Sequence, residues 1–175
     1  MVKVVSFRRA AAHFAGRHLA RVENEAAMAL SSLGSDWKVF RASYRRNPLG
    51  ADFVVVGPAG VFAITTNIRP HSRLLVGEEL LLVNGFATDH VEEARDAALV
   101  VASGLMRVGG EVVSVIPVIA VSDPTSIEFV GEDARRVIVL PTDILARWLI
   151  ETARTNSEAA IDFYSLVVDE MVTAA

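Results

Sequence analysis

Residues 51–70, ADFVVVGPAGVFAITTNIRP, constrain this chain more than any other stretch. Two apolar runs, Phe53 to Val56 and Val61 to Ile64, flank Gly57-Pro58-Ala59-Gly60 and together spell a β-hairpin. Pro58 presets φ for the first central position of a type I turn, Gly60 suits its close, and β-branched and aromatic residues favour the flanking strands. The turn sets the register: with Val56 opposite Val61, Asp52 falls opposite Thr65. Period-2 alternation then puts Asp52, Thr65 and Asn67 on one face and Ile64, Thr66 and Ile68 on the other, unless a bulge at Gly60 breaks the parity.

The rest of the chain supplies helices and further strands. Phe7, Ala11, Phe14, His18 and Val22 recur at three- and four-residue steps, which predicts an amphipathic helix over 5–34 that stops at Gly34. Strands are expected over 37–41, 52–56, 61–67, 73–76 and 80–83, with Asn84-Gly85 as a turn. Asp89 and Glu92 read as an N-cap with its reciprocal acid, opening a helix to about Arg107. Val113 to Val121 lacks a polar face and reads as a buried central strand ended by Ser122-Asp123-Pro124. Val137 to Leu140 is a further strand, Pro141-Thr142 cap a helix through Trp148, and a last amphipathic helix covers 156–173. No internal repeat or linker interrupts the 175 residues, so a single domain over 1–175 is expected.

Composition narrows the class. No apolar run reaches the roughly 18 to 20 residues that a membrane-spanning helix needs, so no membrane association is expected. Arg8 and Arg9 interrupt the N-terminus before a signal-peptide core forms, which predicts a cytoplasmic protein. There is no cysteine, and hence no disulfide or thiolate zinc site. His13, His18, His71 and His90 are scattered without metal-ligand spacing, and no nucleophile elbow, P-loop or dinucleotide fingerprint is present.

Over the hairpin this chain resembles the nuclease-related domain (NERD) family of the PD-(D/E)XK nuclease superfamily. Ala51, Asp52, the Val54 to Pro58 run, Gly60, Val61, Phe62, Ile64 and Thr66 fit the family pattern. Glu23 falls where the family carries an acid on its first helix, followed by Leu30, Leu33 and the strand opening Asp36-Trp37-Lys38-Val39. Val91 to Leu105, Val115 to Val121 and the VIVL-PTDILARWL ending follow in the family's order. The resemblance implies an α/β fold with a restriction-endonuclease-like αβββαβ core, a mixed central sheet flanked by helices.

It also implies a vestigial catalytic set of Glu23, Asp52, Thr65 and Asn67, because the family's glutamate falls at Thr65 and its lysine at Asn67. The superfamily's chemistry uses carboxylates to hold Mg²⁺ and a lysine to steady developing charge. Threonine and asparagine are neutral, and losing two such groups removes most of the rate enhancement, each costing about 10² to 10⁴-fold. Asp52 and Glu23 would be the metal ligands if any ion binds. Arg69 is the substitute for the lysine, and Glu92 or Glu93 for the lost acid, if the active site has migrated.

The expectation is therefore a pseudoenzyme: a nuclease-related protein, catalytically impaired, serving as a nucleic-acid-binding or protein-interaction module without a cofactor. The alternative is an active Mg²⁺-dependent nuclease with relocated catalytic residues. Residues 1–50 carry nine Lys/Arg against three Asp/Glu while the whole chain is at −4, so Arg8, Arg9, Arg17, Arg21, Arg45 and Arg46 are the candidate contacts to DNA or RNA phosphates. A third reading is a homo-oligomer in which Ile161, Tyr164, Val168 and Met171 of the last helix face a partner.

Overall fold

A computed structural model of the protein describes residues 20–42, 49–66, 68–110, 112–131, 137–152 and 158–173, the side chains of 158–163, 170 and 173 excepted. The described chain enters on helix α1, seen over residues 20–30, and passes into β1 (Lys38–Arg41), β2 (Phe53–Gly57) and β3 (Gly60–Thr65). Strands β4 (Arg73–Val76), β5 (Leu81–Val83) and β6 (Phe86–Thr88) precede the long helix α2 (His90–Gly109). Then come β7 (Val115–Val121), β8 (Ser126–Phe129) and β9 (Ile138–Pro141), a 3₁₀ turn (Thr142–Ile144), α3 (Leu145–Glu151) and α4 (Glu158–Thr173).

The hairpin has the register its turn dictates. Val56 faces Val61 and Gly57 faces Gly60, with Pro58-Ala59 as the two-residue turn and Gly60 at φ 126°, a backbone state that glycine adopts without strain. Antiparallel β1-β2-β3 continue into parallel β7 and β9, giving a five-stranded sheet ordered β1-β2-β3-β7-β9. The near-continuous apolar runs of β2 and β3 follow from burial on both faces of this sheet. On one face Val54, Val56, Val61 and Ala63 pack against Ala97, Val101 and Leu105 of α2 and Val167 and Val168 of α4. On the other, Phe53, Val55, Phe62, Ile64, Val118 and Leu140 meet Ala26 and Leu30 of α1 and Leu145 and Leu149 of α3. Phe62 anchors this second layer, with the Trp37 ring 6.4 Å away and the Trp148 ring edge-on at 5.8 Å.

The mixed α/β class and helix-flanked mixed sheet agree with expectation, but the described strands form two sheets. The second is ordered β6-β5-β4-β8, and it packs Leu74, Val76 and Leu81 against Val91 and Ala94 of α2 and Ile119 and Val121 of β7. β6 and β8 are absent from the sequence reading; Phe86–Thr88 follows directly on the Asn84-Gly85 turn, and Ser126–Phe129 carries Ser126 and Glu128 in place of the apolar runs that mark β4 and β9. The connections leaving β3 and β7 for this second sheet run side by side. His71 N–H donates to Asp123 O at 2.8 Å, Thr125 N–H to Ser72 O at 2.9 Å and Thr125 Oγ1 to His71 O at 2.9 Å. His71 and Asp123 both have left-handed backbone, φ 60° and 42°, and their side chains pair at 3.0 Å.

Several boundaries differ from the sequence reading for local reasons. Helix α1 ends at residue 30 and not at Gly34, because Ser31 and Ser32 turn their hydroxyls onto the Met28 and Ala29 carbonyls and the last turn tightens to three-residue bonds. The part of that helix over 5–19 lies outside the described residues. Asp89 does stand at the N-cap of α2, yet its φ −88°, ψ 6° backbone is not extended and its side chain caps nothing; Glu93 bonds His90 instead. β7 starts at Val115, and Val115 to Pro117 are only half-buried because β9 pairs from Val118 onward. Of the residues in the oligomer reading, Val168 is buried inside the chain against α2 and the sheet, Tyr164 and Met171 are half-buried beside it, and the Ile161 side chain lies outside the described residues. No helix among the described residues is long and apolar enough to cross a membrane.

Candidate functional site

The carboxyl ends of the parallel strands β3 and β7, with the start of β2, lie under α1, and this is where the hairpin residues with chemistry converge. Crevices at such strand ends are the usual ligand positions of α/β sheets. Glu23 reaches this corner from α1. Val22, Ala26 and Leu30 give the helix its inward stripe, and Glu23 beside it is 9% exposed. Its Oε2 accepts from Arg41 Nη2 at 2.9 Å. Arg41 ends β1 opposite Phe53, holds its guanidinium 5.8 Å from the Phe53 ring centre, and also donates to Asn24 Oδ1 at 3.3 Å.

Asp52 does not meet Thr65 as alternation implied. Its Oδ2 accepts from Thr66 N–H at 2.7 Å and from Thr66 Oγ1 at 2.8 Å. The cause lies in the backbone: Asp52 N–H donates to Ile64 O at 2.8 Å, although Phe53 is the residue registered with Ile64. Two consecutive residues of one strand thus address Ile64, the geometry of a β-bulge, and the parity expected beyond it fails at Asp52 and not at Gly60. Thr65, 5% exposed, turns its hydroxyl to Val118 O at 3.4 Å. Burial is the largest influence on the Asp52 carboxyl and raises its pKa above the ordinary 3.8; the two Thr66 bonds oppose this, the nearby Glu23 charge adds to it and Arg41 lowers it.

A second polar station lies alongside. Ser122, directly after β7, donates to Glu25 Oε2, and Glu25 pairs with Arg21 Nε at 2.9 Å. Thr142, the first residue of the 3₁₀ turn that follows β9, has a buried hydroxyl that finds no partner among the described residues.

The remaining candidates separate from this corner. Arg69 is exposed beyond the end of β3, and Glu92 and Glu93 are exposed on the first turn of α2, the latter bonded to His90 Nδ1 at 2.9 Å. Arg21 is solvent-facing and paired with Glu25. Asn67, Arg8, Arg9, Arg17, Arg45 and Arg46 lie outside the described residues. Sequence reasoning missed Arg41, the Thr66 contact and the Glu25–Ser122 pair. Only the β1–β2 register would have revealed Arg41, and the turn-fixed hairpin carries no information about that pairing.

A divalent ion does not fit this arrangement as it stands. Glu23 already has a guanidinium on its carboxylate, Asp52 Oδ2 already takes two donors, and among the described residues no three His, Asp or Glu side chains group as a metal would require. The arrangement can hold charge in balance and present hydroxyls and a half-exposed arginine. No family model, curated protein or solved structure matches this chain.

Proposed function

We propose that this protein is a catalytically silent relative of the PD-(D/E)XK nucleases, of the NERD type, acting as a binding module and not as an enzyme. The observation that carries the reading is the pairing of Glu23 with Arg41 and of Asp52 with Thr66 at the corner where such a nuclease would hold its metal. The succession of α1, the antiparallel β1-β2-β3 and, after the inserted β4-β5-β6, α2 and a β7 parallel to β3 supports a restriction-endonuclease-like core. Neutral Thr65 stands where the family's glutamate would be, and it spends its hydroxyl on the Val118 carbonyl. Nucleic acid is the proposed ligand, on the excess of basic residues in the first 50 positions.

The test is incubation of the purified protein with single- and double-stranded DNA and RNA in Mg²⁺ and in Mn²⁺, beside Asp52→Ala and the double change Thr65→Glu with Asn67→Lys. The expected result is no cleavage by the native chain, with retention of nucleic acid in a gel-shift that weakens as salt rises. Cleavage by the native chain that disappears in Asp52→Ala would overturn the silent reading in favour of a migrated active site. Absence of any salt-dependent retention would remove nucleic acid as the ligand.

A further inference from the structure

We propose that helix α2 is a self-association surface, pairing antiparallel with α2 of a second copy of this chain about a twofold axis between Val100 and Ser103. A helix lying on a sheet needs one apolar stripe, and α2 has it in Val91, Ala94, Ala97, Ala98, Val101 and Leu105. A second apolar row is left open. Leu99 is 64% exposed, Val100 42% and Met106 54%, and the three recur at helical spacing and not singly.

Asp96, Val100, Ser103 and Arg107 follow one another at four-, three- and four-residue steps, so they form a single line along the helix, with Leu99 beside it. These residues and Gly104 line an open hollow of about 570 Å³. The ends of the line carry opposite charges about 16 Å apart along the axis. Neither Asp96 nor Arg107 has an ion-pair partner among the described residues. Laid parallel, two such lines would set Asp96 against Asp96 and Arg107 against Arg107. Laid antiparallel, each Asp96 meets the partner's Arg107, each Val100 the partner's Ser103, and each Leu99 the hollow beside the partner's Gly104. A twofold axis makes every contact twice, so one surface supplies both sides of the interface. Small residues at the crossing also let two helices approach closely. The pairing goes beyond the binding-module reading and rests on none of its residues.

The experiment is sedimentation equilibrium of the full chain across micromolar to millimolar concentration. Wild type is compared with Asp96→Arg, Arg107→Asp, an equimolar mixture of those two variants, and the double exchange. Both positions are exposed, so the core is left intact. Wild type is expected to rise with concentration from 18.9 kDa toward twice that mass. Each single variant trades two attractions for two repulsions and is expected to weaken the dimer about tenfold or more. The mixture and the double exchange are expected to recover it, because opposite charges then meet again at both ends. The chain has no cysteine, so Ser103→Cys adds a lone thiol close to the axis, and oxidation with diamide is expected to link two copies through it. Ser35→Cys, exposed in the turn before β1, is the control and is expected to link far more slowly. A monomer at every concentration overturns the proposal, as does a dimer indifferent to both reversals, no recovery on mixing, or linkage at Ser103→Cys no faster than at Ser35→Cys. None of these readouts involves nucleic acid, so this pairing and the binding-module reading fail separately.

Discussion

Asp52 shows how one carboxyl can be both held and disfavoured. Thr66 gives it two donors, at 2.7 and 2.8 Å, while burial and the Glu23 charge push its pKa upward. The folded protein therefore holds the Asp52 proton more tightly than the unfolded chain does. The favourable contribution is complete below the ordinary value of 3.8 and is lost as pH rises through the higher folded value. Asparagine keeps an oxygen for the Thr66 donors and carries no charge. Asp52→Asn is accordingly expected to compare better with wild type at pH 7 than at pH 3.5, a crossing read by urea denaturation at the two pH values; a difference independent of pH would show that Asp52 titrates alike in both states. The same residue marks where reading by alternation stops. The turn chemistry is local and fixed the pairing from Phe53 to Gly57, but the bulge at Asp52 depends on which amide reaches Ile64 O, and no residue type announces that.

Elements join through close approaches that single atoms decide. A Cβ added to Gly57 would run into the Trp37 indole, and that ring is braced by Phe62 behind it. Gly57→Ala is therefore expected to lose about 1–3 kcal/mol in chemical denaturation, since a rigid ring pair cannot yield as a flexible chain can. Gly104 offers the contrast: its Cβ would meet the Met171 thioether, which can swing aside, and alanine suits a helix interior better by about 0.5–1 kcal/mol. Gly104→Ala is expected to cost much less than Gly57→Ala, and the reverse order would mean that Met171 is locked by α4. Legibility at this scale followed local signals such as caps, turns and apolar runs. The 20-residue α2 is read from Asp89 and Glu92 at its start, although Asp89 caps nothing, whereas β6 and β8 owe their strand character to β5 and β4 beside them. Helix α1 misled because its apolar spacing continues to Leu33 while two serines end the backbone pattern earlier.

At the scale of the molecule, the five-stranded sheet is clothed by helices on both faces, and α4 is half of one covering. Ending the chain after Thr152 would strip Val167 and Val168 from Val54, Val56 and Ala63, at a loss of about 1.5–3 kcal/mol for each large side chain unburied. The shortened protein is expected to bind an apolar dye and to lose its cooperative melt, whereas a sharp melt would show that α2 alone suffices to cover that face. The paired connections from β3 and β7 act at this same scale. A sheet attached by one strand can swivel about it; this one is carried on two legs, cross-tied at His71, Ser72, Asp123 and Thr125. The junction is thus a bracket and not a hinge: twisting the small sheet would have to break both legs together. A ligand resting on the strand ends beneath α1 would press on a corner that passes force between the sheets without itself bending.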